Sequence, residues 1–162
     1  MYVADSGNGR VQVFSSSGRF LRQMGTFGGL AGQFVYPTTI AVSPDGSVYV
    51  FDDSRTTLTK LSPTGHQVWR LGGPRTLPST PPDLAGHLHF GSIDSHGRLV
   101  VANDDTSRIV YISPAGHEVD AFGHGTTRDE PSDFPKGSCD TTVDSNGYVY
   151  VAGCIPTRKA GT

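Results

Sequence analysis

Cysteine, methionine and tryptophan are scarce in this chain: its 162 residues include two, two and one of them. Cys139 and Cys154 have no third or fourth ligand close by, which rules out both a zinc module and the dense disulfide framework of a small secreted scaffold. Charge is thin and balanced, with 13 Lys and Arg against 15 Asp and Glu for a net −2. The cations are scattered singly apart from Arg158-Lys159, so no basic stripe is available to follow a nucleic-acid backbone. No apolar run approaches the roughly eighteen residues that a membrane helix needs. No charged segment leading into an apolar one opens the chain, and nothing marks a compartment. What the chain does have is punctuation. Its 21 Gly and 11 Pro exceed the usual share yet stay below the level at which disorder becomes the default, which predicts many turns in one ordered domain.

Those turns recur. Tyr2-Val3-Ala4-Asp5 reappears 47 residues on as Tyr49-Val50-Phe51-Asp52, then after a further 51 as Val100-Val101-Ala102-Asn103, then after 50 as Tyr150-Val151-Ala152-Gly153. Gly18, Gly65 and Gly116 keep step with the first three copies, and Asp45-Gly46, His96-Gly97 and Asn146-Gly147 precede the last three. Each copy reads as strands: Val48–Phe51, Leu99–Ala102 and Val149–Ala152 are short, β-branched or aromatic, and bounded by turn residues. Both alternating positions are apolar, which predicts burial on both faces, as in a small sheet packed between two others. The glycines supply positive φ for tight hairpins. Four antiparallel strands per copy, for instance 38–43, 48–52, 57–62 and 66–71 in the second, match the arithmetic of a β-propeller blade.

The run Val3-Ala4-Asp5-Ser6-Gly7-Asn8-Gly9-Arg10-Val11-Gln12-Val13-Phe14, followed by Gly18, Gly32-Gln33-Phe34, Pro37 and Ile40-Ala41-Val42, resembles the NHL repeat. Ala85-Gly86-His87-Leu88 echoes Ala31-Gly32-Gln33-Phe34. The resemblance covers nearly the whole chain and implies an all-β propeller that in this family usually has six blades. The expected organisation is a partial NHL-type propeller over 1–162, with blades near 1–24 (partial), 38–71, 90–122 and 139–162 (partial). Three, four, four and two strands cannot close a six-bladed ring, and Met1 aligns with strand positions Val48, Leu99 and Val149. Both points favour a fragment over a half-propeller that self-assembles.

Strand direction alternates, so the turn after the second strand and the connection after the fourth share one face. That loop face gathers the candidates for ligand or partner contact: Asp5, Asn8, Arg10, Asp52, Arg55, Asn103 and Arg108. Asp5, Asp52 and Asn103 fill one repeat position, where a carboxylate or amide is expected to accept hydrogen bonds from turn N–H groups. Arg10 and Arg108 are equivalent, with Arg158 at the same offset, and bracing the turn is their expected use ahead of anion binding. His87 and His89 form a His-x-His pair with metal-ligand spacing but no evident third ligand. The glycine-rich segment 25–32 lacks the Gly-Lys-Ser/Thr of a phosphate loop. Cys139 and Cys154 would face each other if Asn146-Gly147 were a two-residue turn, which leaves a disulfide open beside free thiols. The leading expectation is a non-enzymatic scaffold for a protein, peptide or small ligand, with no cofactor. The alternative is a piece of a metal-dependent propeller enzyme, similar to peptidyl-amidoglycolate lyase or lactonase propellers and carrying Zn or Ca at His87 and His89. RNA binding, known for some NHL domains, is disfavoured by the charge.

Overall fold

The structure, a computed structural model, describes residues 1–73, 88–103, 108–123 and 138–153, with 88–90, 138–140 and 153 as backbone. The chain divides into two units, Met1–Leu88 and His89–Thr162. In the first, β1 (Tyr2–Asp5), β2 (Arg10–Phe14) and β3 (Phe20–Met24) form a three-stranded antiparallel sheet in sequence order. A two-residue parallel pair follows, β4 (Thr26–Phe27) with β5 (Gln33–Phe34). Next comes a four-stranded antiparallel sheet of β6 (Pro37–Val42), β7 (Val48–Asp52), β8 (Thr57–Leu61) and β9 (Gln67–Gly72). In the second unit β10 (Leu88–Ile93), β11 (Leu99–Asn103), β12 (Arg108–Ile112) and β13 (Glu118–Phe122) form another such sheet, and β14 (Ser138–Val143) pairs with β15 (Val149–Gly153).

Period-two side-chain alternation with apolar residues on both faces does bury both faces. Every residue of β7, β8 and β11 is buried. On one side of β7, Val48 and Val50 join Val11, Val13, Met24, Phe34 and Leu61 in a core shared by the two sheets of the first unit, with Tyr2 and Ile40 against it. Burying one such side chain contributes roughly 1.5–3 kcal/mol. In the second unit Val100, Ala102 and Ile109 pack with Tyr111, Val143, Val149 and Val151. There β10 passes so close to β14 that a Cβ on Gly91 would collide with the side chain and carbonyl of Thr141. The glycine is what lets the strands approach.

Six hairpins share one construction. In 15–19, 43–47, 62–66, 94–98, 113–117 and 144–148 the first residue's N–H donates to the fifth residue's carbonyl, and the fourth, always Gly, donates to the first residue's carbonyl. Their glycines Gly18, Gly46, Gly65, Gly97, Gly116 and Gly147 all have φ between 74° and 93°. The loop is therefore a three-residue turn with one left-handed glycine, not a two-residue turn. Its first side chain, Ser or Asp, closes it. The Oγ of Ser15, Ser62 and Ser113 accepts from the N–H of Arg19, His66 and His117, and Asp94 Oδ1 accepts from His96 and Arg98. This construction replaces the two-residue turn expected at Asn146-Gly147. β14 and β15 pair Val143 with Val149 and Thr141 with Val151, and a bulge falls between Ser138 and Asp140 at Cys139. The side chain of Cys139 is outside the described residues. Cys154 itself lies outside the described residues.

Candidate loop-face site

In the first unit three segments converge, two turns and the connection 25–37. The single-turn 3-10 helix Ser6–Asn8 ends on left-handed Gly9, whose amide reaches back to Ser6 O at 3.3 Å. Ser6 Oγ donates to Pro37 O at 2.6 Å. A Cβ on Gly9 would strike Phe34 O and come within 2.8 Å of Phe27 Cα, so this turn is seated against the connection 25–37. The second 3-10 turn, Asp53–Arg55, holds the same connection through Asp53 N–H, which donates to Tyr36 O at 3.1 Å, while Gly73 N–H, just beyond β9, donates to Thr56 O at 3.0 Å. Thr56 takes the left-handed conformation (φ 49°) that Gly9 takes in the first copy.

The acid that ends the second strand serves two purposes. Asp52 is fully buried, and its carboxylate accepts from Val35 N–H at 2.6 Å and Tyr36 N–H at 3.0 Å. Asp5 instead binds side chains: Arg10 Nε and Gln12 Nε2, each at 2.7 Å, and Asn8 Nδ2 at 2.8 Å. The Arg10 hydrogen bond, then that of Asn8, holds the Asp5 carboxyl below its usual range against a smaller desolvation effect. Neither acid accepts from the amides of its own turn, contrary to the expected pattern. These tight turns close through their own carbonyls, leaving the carboxylates to neighbours. Arg10 does brace the turn through Asp5 and also donates to Gln23 Oε1 at 2.9 Å. Arg108 meets Glu118 at 3.6 Å, across to β13. Its repeat partner Asn103, buried and neutral, offers it no charge.

One clamp on this face carried no sequence signal. Arg70, on the outer strand β9, donates from Nε to Thr59 Oγ1 at 3.0 Å, from Nη1 to Leu30 O at 3.1 Å and from Nη2 to Gln33 O at 2.6 Å. It ties the glycine-rich connection to the sheet. Burial pushes its pKa down, the Arg55 charge adds to that, and Asp52 opposes it. Arg55 also lies on this connection: a Cβ on Gly29 would come within 2.7 Å of its Nη1. The buried Nε of Arg55 has no hydrogen-bond partner. On the same connection Phe27, Leu30 and Tyr36 stand 66%, 73% and 47% exposed.

No family model matches the chain. Over 122 residues, 75% of this chain and 11% of the relative, it is 29% identical to protein brain tumor of Drosophila melanogaster. Among solved structures it is similar to a streptogramin B lyase (TM-score 0.56, covering 98% of this chain and 52% of that one) and to BamB from Moraxella catarrhalis (0.53, 90% and 36%), both at 15% identity. A putative exported protein of Bacteroides fragilis gives 0.58 over 94% and 42%, also at 15% identity.

The fold is of the β-propeller class.

Its blades are the four-stranded antiparallel sheets described above, and the chain spans about half, or less, of each propeller structure it resembles. At 15% identity the likeness concerns the fold alone. Among the described residues no helix is long and apolar enough to cross a membrane. Of the sequence candidates for metal, His87 and the side chain of His89 lie outside the described residues, as does Arg158.

Proposed function

We propose that the chain is part of an NHL-type propeller, six-bladed when whole, that works as a non-enzymatic scaffold and receives a protein or peptide on its loop face. The observation that carries this reading is the asymmetry of the blade ends. The hairpin ends consist of self-closed turns, whereas the other end of the first unit gathers the turns 5–10 and 52–57 and the connection 25–37 into one hydrogen-bonded surface with Phe27, Leu30 and Tyr36 exposed. Varied loops held by a rigid scaffold are where recognition concentrates. The NHL-like run 3–14 and the 122-residue match to protein brain tumor support the family part of the proposal. Because the fold class hosts many functions, the site has to carry the functional part.

A photo-reactive side chain placed at Leu30 tests it against one placed at Thr64 on a hairpin tip. Specific adducts with a partner protein are expected from position 30 and not from 64; adducts from 64 alone would reject the loop-face reading. No cofactor belongs to this proposal. Stoichiometric zinc or calcium in the purified protein, lost on His89→Ala, would replace it with the metal-dependent enzyme.

A further inference from the structure

The two turns of the first unit dispose of their charge differently. In each, a polar side chain stands three residues beyond the acid that ends the second strand: Asn8 after Asp5, Arg55 after Asp52. Asn8 is satisfied by Asp5 Oδ1. The Asp52 carboxylate accepts instead from the amides of Val35 and Tyr36, and the Nε of Arg55 has no such partner. Asp53, exposed on the same turn, makes no ion pair with it among the described residues. Its cationic neighbour Arg70 does not relieve the site either, since the Arg70 guanidinium is spent on Thr59 Oγ1 and on the carbonyls of Leu30 and Gln33. The result is a partly buried Arg55 with an orphaned, buried Nε, close to a second cation and to the connection at Gly29, which carries the exposed Leu30 and Tyr36.

A buried donor left unpaired on a charged group is costly unless something outside the chain completes it. We propose that Arg55 is the anchor of a carboxylate subsite, which takes an Asp, Glu or C-terminal carboxylate from a partner peptide whose adjacent apolar residue rests on Leu30 and Tyr36. A planar guanidinium matches a carboxylate through paired hydrogen bonds. The surroundings favour a single carboxylate over a polyanion, since two cations stand in a chain of net charge −2 and continuous tracking of phosphates needs a longer basic path.

This inference rests on the loop-face reading, and one experiment separates the two. A random peptide library displayed on phage is selected on the full 162-residue chain, and the enriched peptides are synthesised and titrated calorimetrically against wild type, Arg55→Gln, Leu30→Ala and Thr64→Ala. The expected result is peptides with an acid next to an apolar residue that lose about tenfold or more in affinity on Arg55→Gln, as for a charge-assisted hydrogen bond, weaken on Leu30→Ala and ignore Thr64→Ala. Arg55→Gln should leave the melting temperature unchanged or raised, because no internal bond is lost; a lower one would show that Arg55 has a structural partner and overturn the subsite. Peptides sensitive to Leu30→Ala and indifferent to Arg55→Gln would overturn the subsite and keep the loop face. Peptides sensitive only to Thr64→Ala would overturn both. Displacement of the enriched peptides by single-stranded RNA, steeply weakened by salt, would assign Arg55 to phosphate and overturn the carboxylate.

Discussion

Asp52 and Asp5 occupy the same repeat position and predict different losses. Removing the buried Asp52 carboxylate orphans two amides of the incoming connection, so Asp52→Ala should cost about 2–4 kcal/mol in urea unfolding, where Asp5→Ala, whose partners can turn to water, should cost about 1 kcal/mol or less. Similar losses for the two would contradict the division of roles. Thr56 is a β-branched residue in left-handed backbone, a strain that Asn tolerates better. Thr56→Asn should therefore raise stability by about 0.5–1 kcal/mol, and a loss would show that the Thr56 hydroxyl bond to Arg55 O outweighs the backbone. Asp45 supplies the pH dependence. The Ser43 hydroxyl first, then the amide and hydroxyl of Ser47, hold its carboxyl down from 3.8 to about 2. A depressed folded-state pKa gives stability that is present above 3.8 and lost as pH falls toward 2. Asp94, where desolvation is outweighed by hydrogen bonds from Arg98 and His96, acts in the same direction. The melting temperature of wild type should fall over that interval, and that of Asp45→Asn should fall less steeply.

At the level of the strand and hairpin, much was legible in the sequence because period two and turn glycines are local signals. β7 at Val48–Asp52 and β11 at Leu99–Asn103 follow from their residues alone, flanked by Gly46 and Gly97. The turn type was not legible: Asn146-Gly147 suits a two-residue loop on propensity, but Asp144, by accepting from the amides of Asn146 and Tyr148, draws a third residue into the turn and moves the register by one. The pair β4–β5 was hidden too, since two residues carry no period, and so was the Arg70 clamp, whose partners are carbonyls about 40 residues earlier. Gly91 gives the sharpest test of how strands meet. Gly91→Ala places a methyl on Thr141 and its carbonyl, and overpacking against backbone should cost about 3 kcal/mol. Ser95→Ala, on an exposed hairpin residue two from Gly97, is the control and should change urea unfolding by less than about 0.5 kcal/mol.

Over the whole molecule the balance of charge, net −2 with a pI near 6.3, predicts that the chain leaves single-stranded RNA unshifted in a gel at about 0.15 M salt; retention there would point to a phosphate-binding face. The differences in repeat length also have a fixed address. From Gly46 to Gly65 and from Gly97 to Gly116 the spacing is 19 residues in both cases, whereas from Gly18 to Gly46, Gly65 to Gly97 and Gly116 to Gly147 it is 28, 32 and 31. The constant part contains the second and third strands with the turn between them, and the variable part contains the connection that crosses to the next blade. A hairpin closed by its own Ser or Asp needs nothing from its neighbour to find its shape. Copies built on such hairpins can be duplicated as ready-made cassettes, and gene-level insertions are free to accumulate in the crossing segments, where a new length is also a new surface.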